Sequence, residues 1–259
     1  NFEAPSDVGA NNVYNVTVQV SDGTRLDTQA IAVTVTPVND INPVITSNGG
    51  AASAAISVAE NSSAVTTVKA TDADLPVQTL TYSISGGADA ARFTINASTG
   101  VLSFIAAPNF EVPTDAGADN VYDVTVQASD GSLTDTQAIA VTVTNLNDNN
   151  PVITSNGGGA TAAVNVAENS VAVTTVTATD ADALGALTYS ISGGVDAARF
   201  TIDASSGLLS FVAAPNFEAP SDVGVNNVYN VTVRVSDGTL IDTQAIAVTV
   251  TPVNDINPV

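Results

Sequence analysis

The sequence predicts an all-β chain of tandem seven-stranded Greek-key β-sandwich domains in a linear array. Three observations carry that prediction. Landmarks recur at a fixed interval: Pro43, Pro151 and Pro258 lie 108 and then 107 residues apart, and Phe2, Phe110 and Phe217 keep the same spacing. Apolar residues alternate with polar ones in short runs, the period-two pattern of a half-buried strand. Gly and Asn/Asp turn signals separate those runs, and nothing reads as a long helix.

The repeats divide the chain into residues 1–42, the last part of one unit; 43–150, a complete unit; and 151–259, a second complete unit with the start of the next joint. Because it opens mid-unit, the chain reads as an excerpt from a longer array. In residues 1–42, Tyr14, Val16, Val18 and Val20 alternate with Asn15, Thr17 and Gln19. Ser21-Asp22-Gly23 turns the chain, and Ile31, Val33 and Val35 form the return strand. A lone strand pair is marginal in water. This piece needs the other half of its unit or a strand from another chain.

Unit 43–150 offers seven strands. The first runs from Val44 to Val58, broken at Asn48-Gly49-Gly50; the second covers Val65–Ala70 and the third Leu80–Ser85. Asp89-Ala90-Ala91-Arg92 predicts one helical turn with Asp89 as its cap. Phe93–Ile95, a turn at Ser98-Thr99-Gly100 and Val101–Ile105 form a hairpin, and Tyr122–Ala128 and Gln137–Thr144 close the unit. Unit 151–257 follows the same plan, with Tyr189, Phe200, Phe211 and Tyr229 at the matching aromatic places. This is a sandwich of immunoglobulin-like size. A period of 108 residues is too long for a solenoid, whose units span about 20–50.

Composition removes several function classes. The net charge is −21, and the five basic residues (Arg25, Lys69, Arg92, Arg199, Arg234) form no stripe, so nucleic acid and anionic membrane are poor partners. Cys, His, Met and Trp are absent, which excludes disulfides, thiol nucleophiles, histidine triads and the usual zinc sites. No apolar run reaches the ~20 residues of a membrane span. A cation is the natural counter-charge.

The acids are concentrated in recurring signatures. Val58-Ala59-Glu60-Asn61 returns as Val166-Ala167-Glu168-Asn169, and Thr71-Asp72-Ala73-Asp74 as Thr179-Asp180-Ala181-Asp182. Asn1-Phe2-Glu3, Asn109-Phe110-Glu111 and Asn216-Phe217-Glu218 form a third set. Ser21-Asp22-Gly23, Ser129-Asp130-Gly131 and Ser236-Asp237-Gly238 form a fourth. The joints form a fifth: Pro37-Val38-Asn39-Asp40-Ile41-Asn42-Pro43, Asn145-Leu146-Asn147-Asp148-Asn149-Asn150-Pro151 and Pro252-Val253-Asn254-Asp255-Ile256-Asn257-Pro258. In this order and spacing the whole chain resembles cadherin repeats, in the cadherin-like form found in large bacterial surface proteins.

The resemblance implies calcium between consecutive repeats. The first joint would use Asn1, Glu3, Asn39 and Asp40 with Asp72, Asp74 and Asp130. The second would use Glu60, Asn109, Glu111, Asn147 and Asp148 with Asp180, Asp182 and Asp237, plus carbonyls near Leu146 and Asn149. The third has only its upper half: Glu168, Asn216, Glu218, Asn254 and Asp255. The charges argue the same way. Two carboxylates ~4 Å apart repel by roughly 4 kcal/mol at an effective dielectric of ~20. Calcium takes about six to eight oxygens in flexible geometry, whereas magnesium wants a tight octahedron. The Asn of each Asn-Phe-Glu stands where the family usually has Asp; so do Pro37, Asn145 and Pro252, while Ile41 and Ile256 replace Asn. Two firm sites per joint are therefore expected rather than three.

Other features read as structural. Pro113–Asn120 is an extra loop, solvated or holding a further ion through Asp115, Asp119 and Asn120. Arg92 and Arg199 are expected to satisfy local carbonyls, and Tyr82, Tyr122, Tyr189 and Tyr229 to join the core. Carboxylates that recur at every joint behave as ligands, so no enzyme is expected. The reading is a calcium-stiffened spacer of a long extracellular surface adhesin or fibre. Its partners would be calcium, neighbouring repeats and other copies in a fibre, with no direct membrane contact. Direct binding by the repeats, to each other or to a glycan, is the alternative.

Overall fold

The computed structural model describes residues 1–254 and is all-β. The chain forms two compact units, Asn1–Asn145 and the chain from Leu146 onward.

In the first unit, Val13–Ser21 and Leu26–Thr34 pair as an antiparallel hairpin. A four-stranded sheet follows, in the order Ser53–Ala59, Thr134–Thr144, Val121–Ser129, Thr81–Gly86. Its first pair is parallel and the others antiparallel. Ala64–Thr67, Val101–Phe104 and Phe93–Ile95 form a three-stranded sheet, and Val44–Ile45 pairs with Ala70–Thr71. These are nine segments on the seven expected strands, because the first and second strands each break in two. The first break is the expected one: Asn48, Gly49 and Gly50 all have positive φ (53°, 86° and 66°). Glycine enters that region freely and Asn tolerates it better than most.

Ile45, Phe93, Leu102, Phe104, Tyr122, Val124, Val126, Ile139, Val141 and Val143 build one core. Phe93 stacks on Phe104 at 4.6 Å, and Tyr122 meets Phe104 edge-on at 5.1 Å. The opening hairpin keeps the same register, with Tyr14 opposite Val33 as Tyr122 is opposite Val141. Its apolar face is nevertheless open: Val18 is 45% exposed where its counterpart Val126 is fully buried.

The second unit repeats this architecture. Thr161–Ala167, Ile241–Thr251, Val228–Ser236 and Thr188–Gly193 form the four-stranded sheet, again with a parallel first pair. Ala172–Thr175, Leu208–Phe211 and Phe200–Ile202 face it. The core holds Ile153, Phe200, Leu209, Phe211, Tyr229, Ile246 and Val248. Tyr82 and Tyr189 pack half-buried against their cores.

Two sequence expectations are corrected. Asp89 sits before the 3₁₀ turn Ala90–Arg92 but makes no side-chain capping bond. Its buried carboxylate accepts the N–H of Ala116 at 2.7 Å and of Asp123 at 2.9 Å, tying the turn to the extra loop. That loop is exposed over residues 116–119, but its Asp115 turns inward. Asp115 is buried and accepts the N–H groups of Asp119 and Asn120 at 2.9 and 3.1 Å. A carboxylate placed this way replaces the turn's missing backbone acceptors.

Burial pushes the Asp115 carboxyl up, but the N–H donors of Asp119 and Asn120 outweigh it, and its pKa lies below the usual 3.8. A lowered folded-state pKa gives stability that is present above the unfolded value and lost as pH falls through the folded one. Between pH 5 and pH 2, denaturant unfolding should therefore show a larger loss for the parent than for Asp115→Asn. Parallel losses would rule out this account of the loop.

Candidate metal centre

Asp72 and Asp74 end the short strand Ala70–Thr71, and Asp130 lies in the turn between Val121–Ser129 and Thr134–Thr144. Glu3 and Asp40 come from the two ends of the opening segment. The fold gathers them into two overlapping groups: Glu3, Asp40 and Asp74; and Asp72, Asp74 and Asp130. Within each group the carboxylate oxygens lie within 4.8 Å of one another. Asp74 belongs to both and is only 1% exposed.

Asp72, Asp74 and Asp130 each divide their two oxygens. Asp72 Oδ1 accepts the Asp74 N–H at 2.9 Å, Asp74 Oδ2 accepts the Ile41 N–H at 3.1 Å, and Asp130 Oδ1 accepts the N–H groups of Ser132 and Leu133, both at 2.7 Å. The other oxygen of each, Asp72 Oδ2, Asp74 Oδ1 and Asp130 Oδ2, is buried with no hydrogen-bond partner among the described residues, as are Glu3 Oε1 and Asn39 Oδ1. Five buried acceptors without donors are expensive. A hard cation that binds oxygen would satisfy them. The donor set fits calcium.

The N–H groups of Leu133 and Ser132 hold the Asp130 carboxyl below its usual range, so it stays ionised and ready to ligate. In the second unit, Thr239 N–H does the same for Asp237, whose Oδ1 also accepts the Leu240 N–H at 2.8 Å. Asp180 Oδ1 accepts the Asp182 N–H at 2.9 Å. Asp180 Oδ2, Asp237 Oδ2 and Asn147 Oδ1 are again buried without a hydrogen-bond partner among the described residues.

The Glu after the first strand is placed the same way in both units. Glu60 is 1% exposed and accepts the Phe110 N–H at 2.8 Å; Glu60 and Glu111 bring carboxylate oxygens within 4.8 Å of each other. Glu168 accepts the N–H groups of Phe217 and Val253 at 2.8 and 2.7 Å, and these hold its carboxyl low. Asp148 and Glu218 are exposed. Asp255 lies outside the described residues.

Some details were missed in the sequence. Asn1, Asn109 and Asn216, expected as ligands, accept through Oδ1 the N–H of Glu3, Val112 and Ala219 respectively at 2.8–2.9 Å, a local turn contact that the sequence reading did not include. Ile41, taken as a departure, contributes through its backbone N–H, for which any side chain suffices. Asn149 takes a positioning role: its N–H and Nδ2 donate to the two oxygens of Asp182 at 2.8 and 2.6 Å. Its difference from Ile41 was the one available signal. The guanidinium groups of Arg92 and Arg199, expected to satisfy carbonyls, make no hydrogen bond or ion pair among the described residues.

The sequence profile of the cadherin domain matches residues 54–144 and 162–254, most of the chain. The chain belongs to the cadherin family. It is 31% identical over 260 residues to human Protocadherin Fat 1, covering 95% of this chain and 5% of that protein. It is 32% identical to mouse Cadherin EGF LAG seven-pass G-type receptor 2, covering 99% of this chain and 9% of that protein. The chain thus spans under a tenth of either relative. Among solved structures, the protocadherin gammaB7 EC3-6 cis-dimer matches with a TM-score of 0.66 and 26% identity, over 92% of this chain and 58% of that one. Mouse Cadherin-23 EC22-24 shares the fold, with a TM-score of 0.64 over 98% of this chain and 77% of that one. Cadherin repeats are extracellular modules with adhesive or spacer roles, and this places the cadherin chain outside the cell or at its surface. No helix among the described residues is long and apolar enough to cross a membrane.

Proposed function

We propose that this cadherin chain is a calcium-stiffened spacer in a long repetitive surface adhesin or fibre, of the kind found on bacteria. Its repeats would run over 43–150 and 151–259, after the closing part of another at 1–42. The observation that carries the calcium reading is the group of five buried, unpartnered oxygens on Glu3, Asn39, Asp72, Asp74 and Asp130. These residues and Asp40 would hold the ions of the first joint. Glu60, Glu111, Asn147, Asp148, Asp180, Asp182 and Asp237 would serve the second, and Glu168, Glu218 and Asp255 the third. Calcium would supply the positive charge that lets these carboxylates stay close; backbone N–H groups already orient Glu60, Asp72, Asp74, Asp130, Glu168, Asp180, Asp182 and Asp237.

The relatives above are animal proteins, so the bacterial assignment rests on sequence character. The repeats are nearly alike, as suits a part whose length matters more than any one surface. Lack of cysteine and a net charge of −21 fit a module that folds outside the cell without disulfides. Thermal unfolding tests the central claim: ligand binding only to the folded state raises Tm. Millimolar calcium should raise Tm above that in chelator while magnesium does little, and scattering should report a longer particle. Equal Tm values in calcium and chelator would overturn it.

A further inference from the structure

A spacer has no use for a pocket, yet one recurs at the same place in each complete repeat. In the first it lies between the 3₁₀ turn Ala90–Arg92, the end of strand Val101–Phe104 and the segment after it to Asn109, with Tyr122 behind. Its volume is about 460 Å³. The matching pocket around Arg199, Phe211, Pro215 and Tyr229 encloses about 130 Å³. Small-molecule sites span about 300–1,000 Å³, so the first is large enough and the second is not. Val112 lines the first, whereas Ala219 stands at its place in the second and lines nothing there.

The walls define a ligand class. Ile105 and Val112 are 67% and 66% exposed, an apolar surface offered to solvent beside buried Pro108. The one cation is Arg92, exposed and without a protein partner for its guanidinium among the described residues. In a chain with 26 acids and five bases, an arginine left unpaired is an open fork for a carboxylate. The adjacent acid, Asp89, is already held by two N–H donors. Asn109 Oδ1 is used by the Val112 N–H at 2.8 Å, which leaves its Nδ2 as a second donor at the rim.

We propose that the pocket of the first complete repeat binds a small ring-shaped carboxylate, the acid on Arg92 and the ring on the apolar wall of Ile105, Pro108 and Val112. Acidic sugars and aromatic acids share this chemistry. The test is an NMR titration of the whole chain with galacturonate, galactose and benzoate, each in chelator so that no shared ion bridges ligand and joint. Saturable shifts of the Ile105–Asn109 amides are expected with at least one carboxylate and not with galactose. Galacturonate alone identifies an acidic sugar, benzoate alone an aromatic acid. Arg92→Gln should weaken binding at least about tenfold at unchanged Tm, since a charge-assisted bond is lost, while Arg199→Gln should leave it unchanged. Equal binding of galactose, survival of binding in Arg92→Gln, shifts confined to the joint aspartates, or no saturable shift would each overturn the proposal.

Discussion

Asp74→Asn is expected to remove the calcium response of the first joint while leaving the sandwich folded. Asp74 is the one side chain in both carboxylate groups of that joint, so a single change weakens two sites. Extracellular calcium modules bind with Kd of about 10⁻⁴–10⁻³ M. At 10 mM calcium, one such site adds about 1.4–2.7 kcal/mol. Two sites sharing Asp74 would add about twice that. The signature is a crossing. Asparagine still accepts the Ile41 N–H but carries no charge, so in chelator, where the acids repel, the variant should melt at or above the parent. In calcium it should melt below. Asp182 holds the matching sequence position, and the Asp74→Asn/Asp182→Asn double variant should respond little to calcium. A single variant with the parent's full calcium response would show that Asp74 is not the shared ligand.

Gly100→Ala is expected to be the most damaging small substitution in the first complete repeat. Gly100 has φ of +69°, and a Cβ there would lie 2.1 Å from the carbonyl oxygen of Val68. The obstacle is backbone and is itself fixed, because Val68 N–H donates to Gly100 O at 2.8 Å and Gly100 N–H to Asn96 O at 2.8 Å. The hairpin must separate from its neighbour, at a cost of about 3 kcal/mol or more. For a domain of this size that lowers Tm by roughly 10–20 °C. Gly131 provides the control: its φ is +107°, but nothing lies within 4 Å of its Cβ position. Gly131→Ala should cost about 1 kcal/mol, from φ alone. Equal losses for the two variants would show that the close approach is not what makes Gly100 necessary.

Much of this architecture was legible in the sequence because it is local or repeated. Alternation placed strands such as Val121–Ser129 to within a residue or two, since side chains on a strand must alternate between core and solvent. Repetition of Asp72-Ala73-Asp74 and Ser129-Asp130-Gly131 singled out groups that the fold does bring together.

What stayed hidden depends on the backbone path and on which groups it brings together. Asp89 looked like a helix cap because the pattern around it is local; its actual donors, Ala116 and Asp123, lie 27 and 34 residues away. Asp115 looked solvated because a carboxylate in a Gly/Asp-rich loop usually is, and only the backbone path turns it inward. Arg92 looked satisfied because nothing in a sequence shows that a side chain has no partner.

The sequence by itself determined the all-β class, the period of 108 and 107 residues and which acids recur. Each of these is a matter of residue order. The tertiary structure alone decided the parallel pairing of Ser53–Ala59 with Thr134–Thr144, the division of Asp72, Asp74 and Asp130 into one oxygen bonded to backbone and one left bare, and the unequal pockets beside Arg92 and Arg199. Those outcomes depend on which backbone groups and side chains the packing brings together, as it brings the Ile41 N–H to Asp74 across 33 residues.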